Sequence, residues 1–253
     1  MNEVVRISSA EKLNSSTWVI RFKAAFDARP GQFVMVWAPG MDEIPLSLSS
    51  VGETKAVTFK VIGDDTRKLS AMSEGDRLHV RGPYGNGFDL SSRKVLLVGG
   101  GIGIAPLMPI LEAKEADAVF AARDGDEVAY CVPIAEGLGR RHWVSTDDGS
   151  LGFKGNAVQL VTEVLGENVY DEIIACGPEI MLYYLHRLCV ERGIRCQMSL
   201  ERYMKCAAGI CGSCMVDDRR VCADGPVFTG EQISELREFG KTARDASGAK
   251  KKL

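Results

Sequence analysis

Histidine is scarce, with three in 253 residues. His79, His142 and His186 are isolated from one another, so no imidazole pair is on offer for a metal or an acid–base site. Each is read as a structural or surface residue. Charge of one sign is also lacking: the formal net charge is −3, which gives no support for nucleic-acid binding. No apolar run approaches the roughly 20 residues that a membrane helix needs. The opening residues, Met1-Asn-Glu-Val-Val-Arg6, do not have the layout of a secretory leader. The expectation is therefore a cytoplasmic protein with no membrane and no nucleic acid among its partners. In that setting cysteines serve as metal ligands or core residues rather than disulfides. Internal repeats are absent. The stretch from Gly240 to Leu253, with Lys250-Lys-Lys252, is read as a solvated tail.

Cysteine, by contrast, is concentrated. Four of the eight lie in one window, Cys206-Ala-Ala-Gly-Ile-Cys211-Gly-Ser-Cys214-Met-Val-Asp-Asp-Arg-Arg-Val-Cys222. The first three have the C-x4-C-x2-C spacing of a plant-type [2Fe–2S] site, with a fourth thiolate arriving later. Two irons need four soft thiolates and a tight loop whose backbone N–H groups point at the sulfides. Ala207, Ala208, Gly209, Gly212 and Ser213 are small enough to allow that approach. A structural zinc site or inert buried thiols are the other readings. Zinc sites usually pair two C-x2-4-C or H-x3-5-H halves, and no histidine lies in the window. Cys206, Cys211, Cys214 and Cys222 are the candidate metal ligands. The closing hairpin between the third and fourth must be short.

Up to about residue 93 the chain reads as short strands separated by turns: Thr17–Phe26, Gln32–Trp37, Ala56–Ile62 and Arg77–Arg81. Gly63-Asp-Asp-Thr66 opens a short helix through Met72, with Asp64 or Asp65 as N-cap. This pattern suggests a small antiparallel β-barrel. Three of its segments are read as loops with chemical potential. Pro45-Leu46-Ser47-Leu48-Ser49 would present hydroxyls and amides to a flat polar ring. Gly63 to Thr66 would aim helix amides at a phosphate. The glycine-rich turn from Gly82 to Phe88, with Gly85, Asn86 and Gly87, would admit close approach of a ligand.

Residues 94–200 alternate strand and helix, as a doubly wound parallel α/β sheet does. Lys94–Val98, Ala118–Ala122, His142–Thr146, Asp171–Cys176 and Arg195–Leu200 are the strands, the fifth taken as the last. Helices are expected up to about Lys114, over Gly155–Leu165 and over Glu179–Arg192. Gly99-Gly-Gly-Ile-Gly103-Ile-Ala-Pro106 is a strand–glycine loop–helix unit suited to a phosphate, although it departs from G-x-G-x-x-G at Ile104. Gly99 to Gly103, Asp147 to Gly149 and Cys176 to Pro178 all fall at carboxyl ends of strands, where such sheets bind ligands. Cys176 is equally readable as a small buried thiol.

Pro45-Leu-Ser47, Gly82-Pro-Tyr-Gly-Asn-Gly-Phe88, Gly99-Gly-Gly-Ile-Gly-Ile-Ala-Pro106 and Ala175-Cys-Gly-Pro178 together resemble the ferredoxin–NADP reductase superfamily. Thr146-Asp-Asp-Gly-Ser-Leu-Gly152 and the cysteine window narrow the resemblance to the family of electron-transfer subunits of dihydroorotate dehydrogenase B. It covers nearly the whole chain, to about Ile233. It implies an FAD-binding barrel over residues 1–93, a nicotinamide-nucleotide domain over 94–200, a [2Fe–2S] segment over 201–235 and a tail over 236–253. By this likeness Pro45, Leu46 and Ser47 line the isoalloxazine, and Gly63 and Thr66 meet the flavin pyrophosphate. Gly82, Gly85, Asn86, Gly87 and Phe88 flank the flavin. Gly99, Gly100, Gly101 and Gly103 hold NAD, and Cys176 and Gly177 lie near the nicotinamide. The implied partner is an FMN-containing dihydroorotate dehydrogenase catalytic subunit, in a heterotetramer of two plus two. The implied activity is NAD-linked oxidoreduction in pyrimidine biosynthesis, with no catalytic residue for dihydroorotate on this chain. A flavin and iron–sulfur subunit of a sulfhydrogenase or a ferredoxin-dependent NADP oxidoreductase is the alternative. Two positions depart from the family. Its common arginine before Pro-x-Ser is Ile44 here, preceded by Asp42 and Glu43, and an expected glycine is Asp65. Either backbone amides with Arg67 or Lys68 offset the diphosphate charge, or FAD binds weakly.

Overall fold

Alternating apolar positions close the N-terminal strands of the computed structural model, which describes residues 2–245 and 247–253, into a barrel. Its strands are β1 (Asn2–Lys12), β2 (Thr17–Lys23), β3 (Phe33–Trp37), β4 (Ile44–Val51), β5 (Thr54–Lys60) and β6 (Arg77–Tyr84). All pair antiparallel, in the order β1-β2-β5-β4-β3-β6, and β6 returns to β1. Every second side chain points inward, so Ile20, Phe22, Val34, Val36, Leu48 and Phe59 fill the interior. Helix α1 (Asp64–Ser70) follows β5.

Two sequence expectations are corrected here. Pro45 to Ser49 is not a loop but lies within β4. The N-cap of α1 is Gly63, not Asp64 or Asp65. The Thr66 hydroxyl accepts from the N–H groups of Ile62 at 3.0 Å and Gly63 at 3.1 Å, closing the turn one residue early. Both aspartates then fall inside the first turn, where negative charge suits the helix dipole.

The second body is built on β7 (Val95–Gly100), β8 (Asp117–Ala122), β9 (His142–Thr146), β10 (Phe153–Lys154), β11 (Glu172–Cys176) and β12 (Arg195–Ser199). A 3-10 turn over Gly101–Leu107 leads from β7 into α2 (Met108–Ala113). Short helices α3 (Gly125–Val128) and α4 (Val132–Gly137) follow β8. Then come α5 (Ala157–Glu167) and α6 (Glu179–Arg192). Asn156 caps α5 by accepting from Val158 N–H at 3.0 Å and Gln159 N–H at 3.1 Å. The strands are buried on both faces. In β7, Leu96 and Val98 belong to one core, Val95 and Leu97 to the other, as expected of a sheet with helices on both sides.

Past Leu200 the chain leaves the sheet. It forms the hairpin β13 (Met215–Val216) and β14 (Arg219–Arg220) and the turn α7 (Val221–Asp224). It then returns as β15 (Val227–Thr229), which pairs antiparallel with β12. The sheet order is therefore β10-β9-β8-β7-β11-β12-β15. The strand from Arg195 is not the last of the sheet, as the sequence reading had it. A three-residue strand with no periodicity to announce it takes the edge. After α8 (Gly230–Glu235), the tail is not simply a solvated end. Strands β16 (Thr242–Arg244) and β17 (Lys250–Lys252) pair as a hairpin. It is tied down by Lys250 to Glu238 and by Gly240 N–H to Glu179 Oε1 at 2.7 Å. All three histidines have structural partners: His79 meets Trp37 edge-on, His142 Nδ1 lies 3.1 Å from the Arg140 carbonyl, and His186 Nε2 lies 2.9 Å from the Gly230 carbonyl.

Candidate functional site

The thiol-rich loop sits where the barrel, the sheet and the C-terminal segment meet. Its inner side is core: Ala207, Cys214, Val216, Val221 and Cys222 pack in one cluster with Phe33 and Met35 of the barrel and Met198 of β12. Cys211 is exposed and Cys206 half-buried. Backbone amides point at the sulfurs. Cys206 Sγ accepts from Ala208 and Cys211 N–H at 3.4 Å each, Cys222 Sγ from Gly209 N–H at 3.3 Å, and Cys214 Sγ from Cys222 N–H at 3.4 Å. The β13–β14 turn closes this loop with Asp217 in the left-handed region at φ 47°, and Asp217 Oδ2 is held by the Glu238 N–H at 3.0 Å.

The four residues are tied as two pairs, Cys206 with Cys211 and Cys214 with Cys222, in each of which the N–H of the second donates to the sulfur of the first. Two pairs of thiolates are what a two-iron cluster takes, two on each iron. The donor set therefore fits [2Fe–2S]. The Ser213 hydroxyl and N–H lower the Cys211 thiol to about 6. The amides of Cys211 and Ala208 lower Cys206 in spite of its burial. Burial and the neighbouring Cys214 push Cys222 up to about 12. Cys206 and Cys211 are thus already disposed to be thiolate, while Cys222 ionises only when a metal takes its proton's place.

Two contacts bind this loop to the barrel. Gly85 and Asn86, after β6, lie on Gly225 and Pro226: Asn86 N–H donates to the Gly225 carbonyl at 2.6 Å and its Nδ2 to the Asp224 carbonyl at 2.9 Å. Second, Arg81 on β6 donates to both Glu43 oxygens, at 2.9 and 2.6 Å, to the Tyr84 hydroxyl at 2.9 Å and to the Cys206 carbonyl at 2.9 Å.

The barrel side of the seam is opened by β4. Its ladder with β5 begins only at Leu48, while Ile44 to Ser47 pair with β3 alone. Proline belongs on such a one-sided stretch, since it has no N–H to lend a second ladder. Pro45, Leu46 and Ser47 are half-buried there, and β4 packs against the 3-10 turn of the second body. Gly63 and Thr66 lie beside the loop leading into β4, since Asp65 Oδ1 accepts from the Asp42 N–H at 3.0 Å and Lys68 donates to the Gly40 carbonyl. Gly82 is within β6, Gly87 lies against Arg29 and Pro30, and Phe88 is core.

On the other side, Gly99, Gly100, Gly101 and Gly103 lead from β7 into the turn. Gly99 stands opposite Cys176 in the β7–β11 register. The strand order reverses between these two strands, and ligands of doubly wound sheets lie at that crevice. Gly100 packs on Pro178 and Met181. Gly101 faces a small cavity lined by Lys60, Glu127, Thr17, Ile102 and Tyr130, across which Lys60 of β5 pairs with Glu127 of α3. The Tyr130 hydroxyl in that cavity has no partner. Burial pushes the Cys176 thiol up to about 12, so it is neutral at pH 7. Arg67 is engaged by Asp64 at 2.6 Å.

The structure thus brings Pro45 to Ser47, the Gly99–Gly103 loop and Cys176–Gly177 to one seam. The thiol loop adjoins it, and Gly85 and Asn86 face that loop. Sequence reasoning missed Arg81, Glu43 as its counter-ion, and Gly225–Pro226. Little marks Arg81 locally, because apart from Tyr84 its partners are 38 and 125 positions away.

Residues 201–234 match the family described as the iron–sulfur cluster binding domain of dihydroorotate dehydrogenase B. Over 97% of its length the chain is 43% identical to the probable dihydroorotate dehydrogenase B (NAD(+)), electron transfer subunit, of Methanothermobacter thermautotrophicus, covering 94% of that protein. It is 45% identical to the protein of the same name from Methanocaldococcus jannaschii, over 89% of this chain and 88% of that one. Among solved structures, that of an NADH-dependent reduced ferredoxin–NADP oxidoreductase superposes with a TM-score of 0.82 at 30% identity, covering 94% of this chain and 93% of the other. A Neisseria gonorrhoeae ferredoxin NADP+ reductase solved with FAD and NADP shares the fold, with a TM-score of 0.64 at 14% identity over 76% of this chain and 92% of that one.

Proposed function

The chain belongs to the family of dihydroorotate dehydrogenase B (NAD(+)) electron transfer subunits, and from that premise we infer that it carries electrons from a dihydroorotate-oxidising partner subunit to NAD+ in pyrimidine biosynthesis. It is an oxidoreductase subunit using FAD, a [2Fe–2S] cluster and NAD. When bound, the cluster handles single electrons, FAD joins them in pairs, and NAD+ takes the pair as hydride. The oxidation of dihydroorotate itself belongs to the partner, which we take to carry FMN in a two-plus-two heterotetramer.

One observation carries this reading. The four thiols stand in two amide-wrapped pairs on a segment packed against both the barrel and the nucleotide sheet. Around it the roles follow. Cys206, Cys211, Cys214 and Cys222 ligate the irons. Pro45, Leu46 and Ser47 offer the one-sided stretch of β4 to the isoalloxazine. Gly63 and Thr66 receive the flavin diphosphate, and Gly82, Gly87 and Phe88 shape the same wall. Gly85 and Asn86 serve it from behind, by holding the cluster segment. Gly99, Gly100, Gly101 and Gly103 cradle NAD, with Cys176 and Gly177 beside the nicotinamide.

Ile210, 84% exposed between the first two thiols, is the apolar contact for the partner. Met215 is half-buried beside the loop, while Met204 is buried and belongs to the core. All eight cysteines are free thiols, which suits a reducing cytoplasm.

The test is purification with the partner, followed by iron, sulfide and flavin analysis and an assay with dihydroorotate and NAD+. The expected result is two irons and one FAD per chain, a paramagnetic centre after dithionite, and NADH formation. A colourless protein with one zinc would overturn the reading. Copurification with a hydrogenase-like or ferredoxin partner, with no NADH from dihydroorotate, would favour the alternative that the likeness to the reduced ferredoxin–NADP oxidoreductase keeps in view.

A further inference from the structure

We infer that Arg81 is the positioning residue that fixes the cluster loop against the flavin barrel, and that its ion pair with Glu43 sets how readily the cluster accepts an electron. This rests on the reading of the four thiols as [2Fe–2S] ligands.

The geometry is specific. The Arg81 guanidinium forks onto both oxygens of Glu43, at 2.9 and 2.6 Å, and that pairing holds it firmly in the charged form. Its remaining nitrogen divides between the Tyr84 hydroxyl and the carbonyl of Cys206, both at 2.9 Å. Its carbon lies 5.3 Å from the centre of the Tyr84 ring. Three stretches are thereby joined at one cation. Glu43 immediately precedes the Ile44–Ser47 stretch of β4. Tyr84 ends β6. Cys206 is the first cluster ligand. A planar fork with fixed donors holds such an arrangement where a lysine would not.

The order of charges matters as much as the tether. The guanidinium stands between the Glu43 carboxylate and the Cys206 peptide, so the positive end of the pair faces the thiol loop. Reduction adds one negative charge there, and a cation on that side favours it. Net charge and hydrogen bonding around the sulfurs are what set cluster potentials. The same pair offsets Glu43, one of the two acids that immediately precede Ile44.

The two partners must therefore act with opposite sign. In the assembled complex, Arg81→Gln leaves Glu43 alone and lowers the equilibrium constant for cluster reduction about tenfold, about 59 mV for one electron. Glu43→Gln leaves the cation uncompensated and shifts the potential upward. Arg81→Lys keeps the charge but loses the fork. Its potential stays near that of the wild type, while the Cys206 tether loosens and electron exchange between flavin and cluster slows. The readout is a redox titration followed by electron paramagnetic resonance, with flavin reoxidation measured separately. Wild-type potential in Glu43→Gln and Arg81→Gln, or shifts of the same sign in both, would overturn the inference. Should Arg81→Gln not assemble, the direction in Glu43→Gln alone decides. If the wild type itself shows no cluster signal, it is the reading of the thiols that fails, not the role of Arg81.

Discussion

Gly103 rests on the peptide that joins Cys176 to Gly177: a Cβ at position 103 would lie 2.5 Å from the Cys176 carbonyl oxygen and 2.5 Å from the Gly177 nitrogen. Both are backbone atoms, so neither can turn aside. This contact locks the glycine turn after β7 to the end of β11 and shapes the crevice where the strand order reverses. Gly103→Ala is expected to cost about 1–3 kcal/mol, as overpacking does, and to weaken NADH binding by more than it weakens FAD retention. Thermal melts and NADH titration of the FAD-loaded chain check this. Unchanged NADH affinity would remove the turn from the nucleotide site.

A second expectation separates the cluster from the flavin. Gly85→Ala would set its Cβ 2.3 Å from Pro226, with the backbone already at φ +74°. The turn after β6 and the end of the cluster segment would be forced apart. Iron content per chain is expected to fall while FAD content holds. Equal loss of both would mean that the contact only supports the fold.

Cys211→Ser tests the ligand set directly. It removes the most exposed thiol, one of the two disposed to ionise, so loss of the cluster signal is expected with little change in melting temperature. Cys176→Ser is the contrast, with iron retained. Dihydroorotate-driven NADH formation that survives Cys211→Ser would place the electron path elsewhere.

The ion pair between Arg202 and Glu179 lies almost wholly inside, with 2% and 9% of the two side chains exposed. Glu179 also accepts the Gly240 N–H, and Arg202 reaches the Thr242 carbonyl at 3.5 Å. Arg202→Met strands a buried carboxylate, and about 3–5 kcal/mol of stability should go with it. The denaturation midpoint reads the loss. Replacing both partners by apolar residues of similar volume should restore much of it.

The buried Cys131 thiol gives a dependence on pH. Burial raises it from the ordinary 9.0 to about 12. The folded chain thus keeps this proton at a pH where the unfolded chain has lost it, and unfolding becomes easier as pH rises. The contribution is complete below pH 9 and declines between 9 and about 12, by at most about 1.4 kcal/mol per pH unit. Cys131→Ala should flatten the fall in melting temperature across that window. An equal slope in both proteins would refute it.

Much of this was legible in the residues themselves. The thiol spacing named its own chemistry, and strand–glycine–helix order disclosed the sheet and its crevice. What escaped had no local signature. Pro45 to Ser47 read as a loop because proline and serines break a strand pattern, yet they form a strand that is paired on one side only. Val227 to Thr229 is too short to carry periodicity, and only the partner β12 makes it a strand. The cation that answers Glu43 comes from Arg81 on β6, 38 positions away, and no pattern near Glu43 points to it.

The cluster segment leaves the sheet after Leu200 and returns at Pro226, and the Leu200 N–H donates to the Pro226 carbonyl at 2.9 Å. Its two ends therefore stand side by side, like the feet of a bridge planted on neighbouring strands. Such an excursion is a cassette. A short turn joining β12 to β15 in its place would keep the strand order and sever the chain from dihydroorotate, and it would uncover Phe33, Met35 and Met198, which share a core with the segment and would need polar replacements.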